Sequence, residues 1–303
     1  MKEAQPKSML RIVMSQFLEH RMAVASLAVI LFFCFVAIFA DVIAKTLGID
    51  PTVQDILSRY GPLGPEHWLG TDEAGRDVFM RLVYGTRISL LVAFVSAFSA
   101  GLIGILVGAF AGYYGGVVDA ILMRVTDSLL ALPTLPILII LAAVDFGKLP
   151  VLATLLKGED SSILKMILIL VLFSWMIEAR LVRSAILSLK EREFILAAKT
   201  MGMSGLGIIF REMLPNVLSP VIVAVTLNVG HAILYEAALS FLGLGIQPPT
   251  PSWGNMLNNA RELVYSAPHL AVIPGLLILI VVMSFNFLGD GLQDALDPKA
   301  IRR

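Results

Sequence analysis

The sequence predicts an all-α integral membrane protein with six transmembrane helices, because of its composition and its repeated apolar segments. Hydrophobic residues make up 57% of the 303 residues and charged residues only 15%, whereas a soluble domain has roughly a quarter charged residues. The mean hydropathy is +0.85. Six segments are apolar over the length of about 20 residues that a helix needs to cross a bilayer. The lipid bilayer is therefore the expected solvent and partner of this chain.

Each predicted span is followed by charged or turn-forming residues. The spans run from Met22 to Ala40, Ile88 to Gly112, Ile121 to Val144, Ile163 to Ile177, Val217 to Leu239, and Ala271 to Leu288. Basic residues precede the first span, as they would in a signal peptide. Its apolar run is longer than the roughly 7–15 residues of a signal-peptide core. We therefore interpret the first span as a retained membrane anchor.

The distribution of lysine and arginine predicts the orientation in the membrane. An even number of spans puts both termini on one side, and basic residues concentrate on the cytoplasmic side. With the N-terminus inside, the inner segments carry more of the 23 lysines and arginines than the outer ones, so we expect both termini in the cytoplasm. The predicted organisation is a cytoplasmic tail (1–21), a first transmembrane helix (22–45), an external loop with an amphipathic segment (46–85), a transmembrane domain (86–290) and a cytoplasmic tail (291–303).

Composition and missing motifs weigh against several classes of function. The formal net charge of zero does not favour nucleic-acid binding. The single cysteine, Cys34, leaves no internal disulfide or cysteine-based metal cluster. The sequence contains neither a G-x-x-x-x-G-K-S/T phosphate loop nor an H-E-x-x-H pair, so we expect no ATP hydrolysis and no zinc catalysis by this chain. No metal site is predicted, because His67, Asp72 and Glu73 lack a supporting set of ligands.

A stripe of glycines marks one face of the second span. Gly104, Gly108 and Gly112 are spaced four apart, which places them on the same side of a helix. Small residues at this spacing let two helix backbones approach closely in a membrane. The stripe predicts a tight helix contact, either within this chain or with a second subunit.

Four residues are candidates for a substrate pathway or gate. Pro133 and Pro136 remove backbone donors from the third span and are expected to kink it or delay its start. His231 is the clearest ionisable residue at membrane depth, with a packing role as the alternative. Trp253 lies in the proline-rich outer loop Gly245–Pro268, which we interpret as an external gate or partner contact, or simply as a rigid loop.

The end of the first loop is predicted to form an amphipathic helix. Thr71 is a suitable N-cap, and acidic residues follow it in what would be the first turn. Val78 and Leu82 are four apart and would face lipid or a neighbouring helix. The side facing water or headgroups would carry Arg76, Asp77 and Arg81.

The most informative segment is a polar, helix-prone stretch, EFILAAKTMGMSGLGIIFREMLPN, over 193–216. It separates two apolar spans and is predicted to lie on the cytoplasmic side. Gly202 or Gly205 would end a first short helix in the left-handed conformation. A second short helix, from about Ser204 to Met213, would stop before Pro215. We expect this pair of helices to form a docking surface for a soluble partner.

This stretch resembles the signature of the permease subunits of ABC importers. The signature reads Glu-Ala-Ala, three residues, Gly, nine residues, then Ile-x-Leu-Pro, and the chain departs from it at Leu196 and Glu212. Glu193, one helical turn before Leu196, is hypothesised to supply the missing charge. The resemblance implies that the residues coupling this chain to an ATPase are Glu193, Ala197, Ala198, Gly202, Leu214 and Pro215.

Three further blocks resemble the second, C-type permease subunit of the dipeptide, oligopeptide and nickel branch. They are HWLGTDEAGRDVFMRLVYGTRISL from His67, YEAALSFLGLGIQPPTPSWGNML from Tyr235, and FNFLGDGLQDALDPK from Phe285. The resemblance implies the type I ABC importer permease fold with cytoplasmic coupling helices, in a bacterial or archaeal plasma (inner) membrane. It also implies a non-catalytic subunit without a cofactor of its own. The implied partners are a sister permease, two cytoplasmic ATPase subunits that bind ATP and Mg²⁺, and an extracytoplasmic substrate-binding protein.

The cargo is left open by the sequence, with di- and oligopeptides favoured over nickel or glutathione. Nickel would call for histidines along the pathway, and of the four histidines only His231 lies within a predicted span. A stand-alone secondary transporter is the alternative from a different class. It would be expected to have intramembrane acid or base clusters and inverted repeats, and neither is clear in this chain.

Overall fold

The computed structural model of the chain describes residues 9–146, 161–258 and 265–296. Its helices of eight or more residues are α1 (Met9–Glu19), α2 (Arg21–Ile38), α3 (Ala40–Leu47), α4 (Val78–Tyr114), α5 (Gly116–Leu130), α6 (Thr134–Ala143), α7 (Ser161–Ser174), α8 (Met176–Lys190), α9 (Glu193–Thr200), α10 (Leu214–Phe241) and α11 (His269–Leu296). Residues 1–8 and 297–303 of the two predicted tails lie outside the described residues. So do residues 147–160 and 259–264, the latter within the predicted 245–268 loop.

Five spans are apolar helices, or a helix pair, long enough to cross a bilayer. They are α2, α4, the α7–α8 pair over Ser161–Lys190, the helix over Gly205–Phe241 that contains α10, and α11. The sixth span consists of α5 and α6, which are bent by 86° where they meet. The prediction of an all-α fold with six transmembrane helices is confirmed.

The bend between α5 and α6 lies where the sequence predicted a kink. Pro133 precedes α6 with an extended backbone, φ −67° and ψ 111°, and its ring disfavours a helical conformation at the residue before it. Pro136 lies in the first turn of α6, where a missing backbone N–H costs little. The third span is therefore two helices that meet at Pro133.

The fourth span extends well beyond its predicted end at Ile177, because α8 continues to Lys190. Charged residues in α8 led the sequence analysis to stop the span early. The structure pairs two of these charges, those of Arg180 and Arg183, with carboxylates of α5. Arg183 donates two hydrogen bonds to the Asp119 carboxylate, at 2.5 and 2.6 Å, and this ion pair holds the two helices together.

The glycine stripe on α4 makes an intrachain contact with α8. A methyl group built on Gly104 would lie 2.6 Å from Cβ of Glu178, and one built on Gly112 would lie 2.8 Å from Cγ2 of Ile186. Only glycine fits at such distances, so the helices touch backbone to backbone. Of the two alternatives left open by the sequence, the structure shows packing within the chain. Because residue numbers rise together along the contact, α4 and α8 are parallel.

The directions of the other helices place several chain segments at one end of the bundle. Helix α10 is antiparallel to α4, α11 is antiparallel to α10, and α2 is antiparallel to α11. The contacts that show these directions are Ser89 with Glu236 and Gly101 with Val225, Leu227 with Gly289 and Gly230 with Phe285, and Ala23 with Gly291 and His20 with Asp294. The ends of α4, α8 and α11 and the starts of α2 and α10 therefore share one end, which we call the 190–214 end.

The predicted helix start at Thr71 is wrong. Helix α4 begins at Val78, and its N-cap is Asp77, whose carboxylate accepts a hydrogen bond from the Met80 N–H at 2.8 Å. Thr71 instead belongs to a folded loop, where its hydroxyl donates to the carbonyl oxygen of Ser58. The second span accordingly starts before its predicted first residue.

A compact turn takes the place of the expected first helical turn. One carboxylate oxygen of Asp72 accepts hydrogen bonds from the N–H groups of Ala74, at 2.8 Å, and Arg76, at 3.0 Å. Gly75 has a φ of +73°, which L residues with side chains rarely adopt. A side chain that captures nearby backbone donors competes with helix formation, and here it prevents the helix from starting at Thr71.

The charged residues expected to face water are buried. Arg76, Asp77 and Arg81 are each less than 5% exposed, and Val78 and Leu82 lie in the core rather than against lipid. Arg76 Nε donates to Asp72 Oδ2 at 2.7 Å, and Arg81 Nε lies 3.1 Å from the same oxygen. The loop places the Asp72 carboxylate beside both arginines. These cations are therefore paired with a carboxylate instead of being solvated.

A second ion pair ties α3 to α4. Arg87 donates to both carboxylate oxygens of Asp41, at 3.2 and 2.9 Å, and to the carbonyl oxygen of Ala37 at 2.9 Å. The hydrogen bonds that Asp41 accepts from Arg87, and to a smaller extent the one from Tyr84, lower the pKa of Asp41 below its usual value. Arg87 thereby holds the break between α2 and α3 against the first turns of α4.

Replacing Asp72 with asparagine tests the buried charge cluster. The substitution removes the carboxylate that contacts both Arg76 and Arg81, and an uncompensated buried charge costs about 3–5 kcal/mol of folding free energy. We expect a clearly lower thermal unfolding midpoint for the purified protein in detergent. Asp50→Asn is the matched control, since Asp50 is exposed and bonds only locally to Thr52. Equal midpoints for the two variants would contradict this account.

Candidate functional site

The polar stretch identified in the sequence forms a surface at the 190–214 end of the bundle. Its first half is α9, which ends as predicted at Gly202, with a φ of +79°. The Met203 N–H donates to the Ala198 carbonyl at 3.1 Å and the Gly202 N–H to the Lys199 carbonyl at 3.0 Å. This pair of bonds is a Schellman motif, which closes the end of α9 and fixes the direction of the chain that follows.

The second half does not form the separate short helix that the sequence predicted. Ser204 caps a turn over Gly205–Gly207, a π-helical segment covers Ile208–Met213, and α10 follows directly. The expected stop before Pro215 is wrong, because the helix is continuous from Gly205 to Phe241.

The π-helical segment explains how the helix passes through a proline. The Leu214 N–H donates to the Ile209 carbonyl, five residues back, so the turn before Pro215 is wider than an α-turn. A proline in a normal α-helix lacks a donor and clashes with the carbonyl four residues earlier. The wider turn gives the Pro215 ring room against the preceding carbonyl groups, and the helix continues.

One face of this segment anchors it to the bundle. Its buried side chains belong to the main hydrophobic core, and they come from both halves of the segment. They are Ile195, Ala198, Ile208, Ile209 and Met213. The segment is therefore packed as part of the bundle and is not a solvated loop.

Large hydrophobic side chains of the same segment are exposed on its surface among charged ones, which sequence reasoning missed. Five large hydrophobic side chains exposed on one short segment indicate a contact surface. They are Phe194, Leu196, Met201, Leu206 and Phe210. Their interleaving with charged residues in a helix-prone stretch was the available signal. We call these five residues the apolar docking face.

The six residues predicted to couple this chain to an ATPase occupy different environments. Ala197 and Ala198 point in different directions, since Ala197 is exposed and Ala198 is buried against the core. Glu193 is exposed and has no ion-pair partner among the described residues. Gly202 and Pro215 are exposed as well, and Leu214 is half-buried.

The four candidates for a pathway or gate are not brought together into one site. Pro133 and Pro136 are exposed at the bend between α5 and α6, and His231 is exposed on α10. Trp253 is completely buried, its Nε1 donating to Thr86 Oγ1 at 3.3 Å. A contact between the Trp253 side chain and a partner protein does not agree with this burial.

Trp253 belongs to a buried polar network at the end opposite to 190–214. Its backbone N–H donates to Ser89 Oγ at 3.2 Å, and Ser89 in turn donates to the Glu236 carboxylate at 3.1 Å. Ser240 Oγ donates to the other Glu236 oxygen at 2.7 Å and accepts from the Ile246 N–H at 3.1 Å. The network fastens the loop after α10 onto α4 and α10.

Comparison with known families places the chain among transport permeases. Residues 104–302 match the family described as "Binding-protein-dependent transport system inner membrane component". Residues 8–62 match the family described as "N-terminal TM domain of oligopeptide transport permease C". The first match covers about two thirds of the chain and includes the whole apolar docking face.

Individual relatives agree with these families. The chain is 41% identical to the dipeptide transport system permease protein DppC of Alkalihalophilus pseudofirmus, over 94% of this chain and 88% of that protein. It is 39% identical to the glutathione transport system permease protein GsiD of Pectobacterium atrosepticum, over 94% of this chain and 89% of that protein. A DppC of Haemophilus influenzae is 37% identical, over 97% and 96% of the two chains.

The fold is also that of a solved ABC transporter. A chain of the MetNI methionine ABC transporter, crystallised in inward-facing conformations, superposes with a TM-score of 0.53 at 23% sequence identity. The match covers 74% of this chain and 97% of that chain. The chain therefore belongs to the binding-protein-dependent inner-membrane components, the permease subunits of ABC importers that leave ATP hydrolysis to separate subunits, and within them to the oligopeptide permease C branch.

Proposed function

We propose that the chain is the C-type permease of a bacterial importer of di- and oligopeptides. It pairs with a sister permease, receives cargo from an extracytoplasmic binding protein and is driven by two cytoplasmic ATPase subunits that hold ATP and Mg²⁺. The observation that carries this proposal is the apolar docking face on a segment continuous with a transmembrane helix. The two DppC relatives support a dipeptide cargo, and the GsiD relative makes glutathione, itself a small peptide, the second candidate.

The proposal puts the 190–214 end of the bundle in the cytoplasm. Basic side chains on or just before the 193–216 stretch, which we call the docking segment, support this orientation, because cytoplasmic segments are enriched in lysine and arginine. They are Lys190, Arg192, Lys199 and Arg211. In this orientation both ends of the chain's helical part are cytoplasmic, and the loop that holds Trp253 faces outside.

The docking segment is suited to transmit force because it is rigid and directly connected. Buried Ile195 and Ala198 hold α9 on the core, and the second half of the segment continues into α10 without a break. When an ATPase subunit moves the segment, α10 moves with it as a rigid body. Helix α10 packs on α4 and α11 and extends to the outer end of the bundle, so the movement reaches both sides of the membrane.

The chemistry of the docking face predicts an apolar groove on the ATPase subunit. Leu196 stands where the family signature has glutamate, and Met201 is 77% exposed. Glu193 is the first residue of α9, the helix that carries Leu196, and it would meet a basic residue of the groove. Contact would thus rest on buried apolar area, with the charge of Glu193 contributing mainly to orientation.

Uptake by the complete importer tests the cargo. With the binding protein outside proteoliposomes and the ATPase subunits and ATP inside, we expect ATP-dependent accumulation of a radiolabelled dipeptide such as alanyl-alanine. An excess of unlabelled dipeptide should abolish accumulation of the radiolabelled dipeptide. An equal excess of glutathione should leave that accumulation unchanged. ATP-dependent accumulation of radiolabelled glutathione without accumulation of the dipeptide would replace dipeptide by glutathione as the cargo. No ATP-dependent uptake of either would overturn the proposal.

Removing the apolar side chains of the docking face should release the ATPase. Burying a leucine or methionine side chain is worth about 1.5–3 kcal/mol, so the double substitution Leu196→Ser with Met201→Ser should weaken ATPase binding about tenfold or more. Binding of the ATPase subunits to permease in nanodiscs measures this. Leu57→Ser is the matched control, because Leu57 is 99% exposed in the loop at the opposite end. Unchanged affinity for the double variant would contradict the role of this face.

Reversing the charge of Glu193 should have a smaller, rescuable effect. An exposed ion pair contributes up to about 1 kcal/mol, so Glu193→Lys should lower ATPase affinity about two- to fivefold. A lysine- or arginine-to-glutamate change in the facing ATPase groove should restore it. Glu191→Lys, also exposed but outside α9, is the control. If Glu191→Lys behaves like Glu193→Lys, or if no basic groove residue gives rescue, Glu193 does not replace the signature glutamate.

A further inference from the structure

The last turn of α4 ends beside the docking segment, although the two are far apart in sequence. Tyr113, in this turn, contacts three segments. The Lys190 ammonium at the end of α8 donates to the Tyr113 carbonyl at 2.7 Å and lies 6.0 Å from the centre of its ring. The Lys199 ammonium of α9 lies 5.8 Å from the same ring centre. Both distances are within the range in which a cation is attracted to an aromatic face.

The third contact is with the backbone of Gly205, at the start of the continuous helix. A methyl group built on Gly205 would lie 3.0 Å from Cε1 and 3.2 Å from the hydroxyl oxygen of Tyr113. The φ of Gly205 is not positive, and Ser204 caps the turn in the ordinary way. A side chain at 205 would therefore press on the Tyr113 ring, and this limit is one of space and not of backbone conformation.

We propose that Tyr113 is a positioning residue that transmits movement of the docking segment to α4. This inference rests on the proposed function, in which the ATPase subunits move that segment. Helix α10 receives the movement through the continuous chain, whereas α5 to α8 separate α4 from residues 193–215 in the sequence. The ring of Tyr113, held between Lys190, Lys199 and Gly205, gives α4 a direct contact with that segment.

Helix α4 can carry this movement to the other end of the bundle. It is a single helix of 37 residues, and the glycine contact locks it to α8 along its second half. Near its other end, Thr86 and Ser89 bond directly to Trp253. The Tyr113 contact thus gives the docking segment a second route, beside α10, to the loop that holds Trp253. Spatial continuity alone does not establish coupling, so the test must measure coupling itself.

The measurement is the number of ATP molecules hydrolysed per dipeptide imported by the complete importer in proteoliposomes. Tyr113→Leu removes the ring and should raise this ratio roughly two- to thirtyfold, the range in which single residues alter coupling. Tyr113→Phe keeps the ring and should restore the wild-type ratio. Phe98→Leu is the matched control, because Phe98 is an exposed aromatic residue of the same helix whose ring stacks on Phe94.

A second substitution addresses the same contact from the other side. Gly205→Ala should displace the ring and raise the ratio, and the double variant Gly205→Ala with Tyr113→Leu should be no worse than Tyr113→Leu alone. Residues in contact give such non-additive effects, whereas independent sites add. Additive effects would overturn the inference. The Gly205→Ala arm also keeps the test decisive if Tyr113→Leu does not fold.

The outcomes separate this inference from the proposed function. If the wild-type importer shows no ATP-dependent uptake of dipeptide or glutathione, the proposed function fails. If the wild type transports but Tyr113→Leu has the wild-type ratio, the inference fails and the function stands. If Tyr113→Leu lowers the unfolding midpoint and the amount of assembled complex without changing the ratio, the ring is merely structural, and the inference is again overturned.

Discussion

The close contact between α4 and α8 is the constraint on which the rest of the bundle depends. In a bilayer, helices gain little from the hydrophobic effect by associating, so they rely on van der Waals packing and on polar contacts. Gly104 and Gly112 provide the packing by leaving no side chain between the two backbones. Because α4 also packs on α2, α7 and α10, fixing it against α8 sets the position of its other neighbours.

Carboxylates at the end of the bundle opposite to 190–214 are buried with partners. Asp72 pairs with two arginines and Glu236 with two serines. Burying a charge is costly unless it is paired, so these contacts hold the loops in one arrangement. The apolar docking face at the 190–214 end is exposed in the described part of the chain, and in the proposed complex an ATPase subunit covers it.

Much of this arrangement could be predicted from the sequence, and the errors have specific causes. The spans were found because a helix in lipid must satisfy its backbone internally and so needs a long apolar run. The helix start at Thr71 was wrong because Asp72 bonds to backbone donors in a turn, which the local sequence pattern does not distinguish from a helix N-terminus. The helix through Pro215 depends on a π-turn that has no simple signature. The permease signature around Ala197 and Ala198 located the docking segment, but only the fold showed which side of α9 is exposed.

The departure of the chain from the family signature is consistent with this division of roles. A glutamate at 196 would put a charge among the exposed apolar side chains, where it would need a cationic partner once the proposed ATPase contact buries it. Leucine at 196 removes that need and leaves Glu193, at the start of α9, as the acidic residue of this helix. In the proposed contact, buried apolar area would provide affinity and the charge of Glu193 orientation. Movement of such a face is transmitted through packed side chains, which is why the buried side, from Ile195 to Met213, is part of the core.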